Sequence, residues 1–312
     1  MGTLSKKRNH TKATGNVDGT EFAIGEPVVK KCLLLFLELL SCGCSNTGAP
    51  GTGNASTSVP PQTATSGGAE EPAGDSRKVV SNGIGIELVW IPAGTFTMGS
   101  SKGEEYNPDE TPHKVTLTKP FYISRTEITQ GQWKKLMGTE PWKGETFTKE
   151  GESYPATFVN WSDTAEFCAK LSAFEGKVYR LPTEAEWEFA CRAGTSALFS
   201  FGNDLADFGQ YGWYDGNTWD AGEKYAHEVG QKLPNPFGLH DMHGNVWEWC
   251  SDWYGDYPSG DVRDPHGPNT GDSRVLRGGF WNIGANSARS AGRFQFWPER
   301  RSYGNGFRIV QE

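Results

Sequence analysis

From Ile84 onward apolar and polar residues alternate. "IGIELVWIPAGTFTMGS" reads as two strands joined by a Pro-Ala-Gly turn, that is, as a hairpin. "HKVTLTKPFYISRTEIT" continues the strand pattern. The period then changes, and three short helices are predicted. "TQGQWKKLMG" sets Thr129 three residues before Gln132, the spacing of a capping box, and stops at Gly138. "SDTAEFCAKLSAFEG" begins at Ser162, puts Phe167, Cys168, Leu171 and Phe174 on one face, and ends at Gly176. "TEAEWEFACRAG" repeats the capping box with Thr183 and Glu186 and ends at Gly194. Beyond Gly194 the periods fade into Gly, Asn, Asp, Pro and aromatics, broken by strand-like "RVLRGGFW" and "GFRIVQE". Loops of that length need something besides ladders to order them, and aromatic packing and bound metal are the two candidates.

The segment before Ile84 follows different rules. "VVKKCLLLFLELLSCGCSN" has two lysines, an apolar run too short to span a bilayer, then small residues and cysteines, the layout of a secretory signal. Its end, Leu39-Leu40-Ser41-Cys42, is similar to a bacterial lipoprotein signal, in which the cysteine carries the lipid. Glu38 interrupts the run and a long stretch precedes it, so a tail with a chance apolar patch is the alternative. Residues 46–78, rich in Gly, Ser, Thr, Ala and Pro, read as a flexible linker. The expected organisation is a signal-bearing tail over 1–45, a linker over 46–78 and one folded domain over 79–312. The expected location is the bacterial envelope, lipid-tethered or secreted.

A net charge of -8 argues against a nucleic-acid partner, since such binding rests on Lys and Arg neutralising phosphates. The arginines between Arg293 and Arg308 are interleaved with aromatics and read as buried or half-buried structural groups. Of six cysteines, Cys168, Cys191 and Cys250 fall in the domain, with no C-x-x-C pair, so a zinc or iron–sulfur site has little support. No G-x-S-x-G elbow, phosphate loop or dinucleotide fingerprint is present.

"DMHGNVWEWCSDWY" pins Glu248 between Trp247 and Trp249. A carboxylate among tryptophans must be paired, protonated or metal-bound, because an isolated buried charge is prohibitively costly. Calcium, which takes carboxylates and main-chain carbonyls together, is one solution. A salt bridge to Arg277 or Arg308 is the other. The acidic loop holding Asp215, Asn217, Asp220 and Glu223 reads as a solvated turn, and His240 and His243 as ordinary loop histidines.

Taken in order, "WIPAGTFTMGS", "RTEITQGQW", "FVNWSDTAEFCAKLS", "YRLPTEAEWEFACRAGT", "PNPFGLHDMHGNVWEWCSDW", "RVLRGGFWN", "ARSAGR" and "GFR" closely resemble the formylglycine-generating enzyme, or sulfatase-modifying factor, family. The resemblance runs from about Leu88 to Ile309. It implies an α+β fold, distantly similar to C-type lectins, low in regular secondary structure and stabilised by calcium. It also implies a calcium held by the Glu248 side chain and main-chain oxygens of His243, Gly244 and Val246, and a second one near Trp213 to Glu223. Trp249 and Arg293 match residues that line the family's substrate groove.

The family's oxidases convert a sulfatase cysteine to formylglycine with copper(I) held by two cysteines. The matching positions here are Ile283 and Ala288, and Phe280 replaces the serine of the family's "GGS". Soft copper(I) needs thiolates, so no copper site is expected. Three functions remain open: a calcium-stabilised module binding a peptide, protein or glycan at the envelope; an enzyme, either an oxidase with other ligands or a different chemistry in the groove; and a structural part of an envelope complex.

Overall fold

In the computed structural model residues 79–100 and 108–312 are described, so the signal-like segment, Cys42 and the linker over 46–78 lie outside the described residues. Three small sheets form the frame. The first has strand order β1 (Val79–Ser81), β2 (Glu87–Ile91), β5 (Phe121–Ser124), β12 (Val310–Gln311), β6 (Tyr179–Arg180). The second runs β10 (Arg293–Phe296), β9 (Arg274–Arg277), β7 (Trp247–Trp253), β11 (Asn305–Gly306), and the third β3 (Gly94–Met98), β4 (His113–Leu117), β8 (Val262–Arg263).

The expected hairpin is not formed. β2 pairs with β1 and β5, whereas β3 pairs with β4 in another sheet. Leu88, Val89 and Ile91 are all buried, so β2 is an interior strand with both edges taken, and Pro92 and Ala93 carry the chain from one sheet to the next. Alternation identified the strands correctly but could not identify their partners.

The three helices form where expected, as α1 (Gln130–Met137), α2 (Trp161–Glu175) and α3 (Glu184–Arg192). Thr129 and Thr183 make the predicted capping boxes with Gln132 and Glu186. α2 starts earlier than Ser162, because Asn160 supplies the cap and closes its box with Asp163. Phe167, Cys168 and Leu171 are buried, but Phe174 is 64% exposed, because the helix face turns out of the core before its last turn. α3 ends one residue before the expected stop, with Ala193 in the left-handed conformation at φ 47°. All nine of its residues are buried, Glu184, Glu186, Glu188 and Arg192 included.

Those charges pair with the second sheet. Arg277 on β9 binds Glu188 at 2.5 Å and Glu184 at 3.3 Å, Arg293 on β10 binds Glu184 at 2.7 Å, and Arg192 closes on Glu188 at 2.8 Å. The arginines of "RVLR" and "ARSAGR" thus tie helix to sheet, as their placement among aromatics suggests. Apolar packing fills the remainder, with Trp133, Phe167 and Phe307 in mutual ring contact between α1, α2 and the C-terminal strands. Cys168, Cys191 and Cys250 are buried and free.

Candidate functional site

Glu248 sits on β7 between β9 and β11, opposite Arg277 on one side and Gly306 on the other. Its neighbours fix its environment. The side chain is fully buried and accepts from Arg308 Nε at 2.6 Å and Nη2 at 2.7 Å, and from the Trp187 indole N–H at 2.7 Å. Arg308 in turn donates to the main-chain oxygens of Ser124 and His240. A bidentate guanidinium with its remaining donors satisfied is the geometry that makes a buried ion pair tolerable. The structure therefore gives Glu248 the arginine pairing, one of the two solutions open from the sequence.

The resemblance also names main-chain oxygens of His243, Gly244 and Val246, and that of His243 packs against Gly212, 2.0 Å from where a Cβ on that glycine would stand. Among the described residues no group of three or more His, Cys, Asp or Glu is arranged to hold a metal. Free acceptors do lie next to the pair: Glu127 Oε2 and Asp241 Oδ1, both buried, have no hydrogen-bond partner. Burial, then Asp241 and Glu248, push the Glu127 carboxyl well up, and burial raises Asp241. A shared proton or a bound cation would complete this pair of acids. Of the two places, Glu127 and Asp241 each keep an unanswered carboxylate oxygen, whereas both oxygens of Glu248 accept hydrogen bonds.

The positions matching the copper cysteines do come together. Gly279, at φ 82°, lies so close to them that a Cβ there would stand 2.6 Å from Ala288 Cβ and 3.4 Å from Ile283 Cδ1. Two hydrocarbon side chains meet at this point. Ala288 is buried, and its carbonyl accepts from His243 Nδ1 at 2.9 Å. His243 Nε2 accepts the Ser200 amide N–H at 3.1 Å, which fixes the neutral tautomer, and burial lowers the imidazole to about 4. Cys191 lies beside it, 3.8 Å from Nε2, but burial pushes this thiol up to about 12, so it is no thiolate.

The other groove candidates are placed apart. Trp249 is fully buried, its indole donating to Val159 O. Arg293 is committed to Glu184, to Asp109 O and to Gly255 O. Only Phe280, half-buried, stays with Ile283 and Ala288 along the 280–288 segment.

Phe280 belongs instead to an aromatic surface that sequence reasoning missed. Its ring lies 6.1 Å from Tyr303 and 5.9 Å from Trp281, and Phe147, 40% exposed, contacts Tyr303 at 5.2 Å and Trp219 at 6.0 Å. Trp219 stacks on buried Trp281, with Lys224 Nζ 4.3 Å above its ring, and Lys149 Nζ lies 4.7 Å from the Tyr225 ring. These residues come from four separated stretches, so no local motif announces them. The aromatic excess in the loops was the only available signal. In the acidic loop nearby, Asn217 binds Tyr214 N and Gly212 O, holding the turn by its own hydrogen bonds.

A family model described as "Sulfatase-modifying factor enzyme 1-like domain" matches residues 78–312. A formylglycine-generating enzyme of Streptomyces coelicolor is 31% identical over 284 residues, covering 72% of this chain and 88% of its own. Among solved structures, PvdO from Pseudomonas aeruginosa is 31% identical with a TM-score of 0.69, covering 77% of this chain and 100% of its own. Treponema denticola variable protein 1 is 30% identical with a TM-score of 0.67, covering 75% of this chain and 98% of its own.

Proposed function

The chain belongs to the formylglycine-generating enzyme (sulfatase-modifying factor) family, and on that premise we propose that it is a binding module of the bacterial envelope rather than a copper oxidase. The observation that carries this reading is the meeting of Ile283 and Ala288 at Gly279. Copper(I) is held by thiolates, and the two side chains offered at that point are hydrocarbon. Fold alone does not carry activity across, and relatives in this family bear names as different as an enzyme and a variable protein.

The ligand surface is the aromatic group of Phe147, Trp219, Phe280 and Tyr303 flanking that position. Exposed aromatic faces supply large contact area at low entropic cost and are the usual anchors of recognition. Lys224 lies over the Trp219 ring and Lys149 over the rings of Tyr154 and Tyr225, so the surface suits a peptide with apolar and acidic side chains. A glycan is the alternative outcome of the test. Calcium at Glu127 and Asp241 has a structural role in this reading, holding the loop before β7 to the end of β5.

Two measurements test it. The protein reconstituted with copper(I) is offered a cysteine-containing sulfatase peptide in air, and mass spectrometry looks for the aldehyde. None is expected, and turnover would restore the oxidase. Binding to displayed peptides and to glycan arrays is then compared with Phe147→Ala and Tyr303→Ala, each expected to weaken peptide binding about tenfold, the loss of an aromatic anchor.

A further inference from the structure

A cavity of about 450 Å³ opens between the start of α3 and the loop over 252–268, away from the aromatic surface and built from other residues. Its size falls within the range of small-molecule sites, about 300–1,000 Å³. Met98, Ala185, Val262 and Pro268 give it apolar walls, and the carboxyl group of Asp252 lies among them. Asp252 is 4% exposed. Its Oδ2 accepts from the Glu184 amide at 3.0 Å and the Ser251 hydroxyl at 2.9 Å, while among the described residues no donor reaches Oδ1.

Among the nearby cations, Arg274 gives Nη1 to Ser251 O and stacks against the Trp161 and Trp253 rings, its Nε bonded to no group of the described residues. Arg293, which lines the same cavity, gives its donors to Glu184, Asp109 O and Gly255 O, and Arg277 gives its own to Glu184, Glu188 and main-chain oxygens. His113 Nδ1 donates to Thr111 O. Arg263 and His266 stand exposed at the rim with Asp256. One carboxylate oxygen that no donor reaches among the described residues therefore belongs to the lining of a cavity with largely apolar walls.

We propose that this cavity binds an organic ammonium ion, with the N–H donors on Asp252 Oδ1 and the hydrocarbon stem against Met98, Ala185 and Val262. A charged donor is favoured over a neutral one because a carboxylate in an apolar setting gains most from a cation. An ammonium is favoured over a guanidinium because only one oxygen is free: Oδ2 already holds two donors, so the parallel two-bond contact of an arginine cannot form. The ammonium can belong to a free amine or to a lysine side chain of a partner protein.

Isothermal titration of the full-length protein at pH 8 compares n-butylammonium, n-butanol and an acetylated, amidated lysine. Butylammonium is expected to bind at least tenfold more tightly than butanol, Asp252→Asn to remove that preference, and Val262→Phe to block the cavity and abolish binding of both. Tighter binding of the lysine derivative than of butylammonium assigns the ammonium to a partner's side chain, and the reverse order to a free amine. Equal affinity for butanol and butylammonium, unchanged affinity in the Asp252→Asn or Val262→Phe protein, or no binding of any probe overturns the proposal.

Discussion

Asp252 gives a prediction about stability that does not depend on its ligand. Burial, then the charge of Glu184, raise this carboxyl from 3.8 to about 7. Below 3.8 the group is protonated in both the folded and the unfolded chain, and its contribution is the same in each. Between 3.8 and about 7 the folded state keeps a proton that the unfolded state has released, so stability falls as pH rises. Above about 7 the penalty is constant. At about 1.4 kcal/mol per pH unit the span comes to about 4 kcal/mol, an upper bound because the start of α3 favours the anion by up to ~2 kcal/mol. Asp252→Asn keeps the shape and an acceptor oxygen for the Glu184 amide but cannot ionise. Urea denaturation of both proteins at pH 4.5 and pH 8 isolates the effect, since other titrating groups cancel in the comparison. The variant's stability relative to the parent is expected to improve by about 1–3 kcal/mol between the two pH values. A difference that does not change with pH would show that Asp252 ionises freely in the folded protein and would refute the reasoning.

Two further outcomes follow from the buried charges around β7. Arg308→Met leaves Glu248 with only the Trp187 indole, and removal of one partner of a buried pair costs about 3–5 kcal/mol, read by urea denaturation; a loss below about 1 kcal/mol would mean that Glu248 is neutral or otherwise paired. Dialysis against a chelator is expected to lower the melting temperature and added calcium to restore it, with Glu127→Gln abolishing the response; no response in the parent protein would leave a shared proton between Glu127 and Asp241 as the account.

The parts of the fold legible in the sequence were those set by local chemistry. Thr129 and Thr183 announce their helices because a capping box is complete within four residues, and the helical period places Phe167, Cys168 and Leu171 inside but not the exposed Phe174. Pairing was not legible. Nothing local to Leu88 or Phe96 says that one strand joins β5 and the other β4, since partner choice depends on which edges remain open after the whole chain has packed. The same limit applies to the site. Glu248 was conspicuous in its sequence, and the need to satisfy its charge followed at once. That Arg308 pairs with it depends on a contact spanning 60 residues.

The meeting of Ile283 and Ala288 bears on how a family scaffold can shed a metal site. The turn that brings them together is held by features independent of their chemistry. Gly279 and Gly278 take positive φ, Gly278 O accepts from Gly244, and Ile283 O accepts from Asp215. Ala288 is fixed through its carbonyl to His243, not through its side chain. Substitution at 283 and 288 therefore changes the side chains that meet at Gly279 while leaving the backbone hydrogen bonds intact. A domain built in this way can lose copper chemistry and keep its fold, with the neighbouring aromatic surface available for recognition.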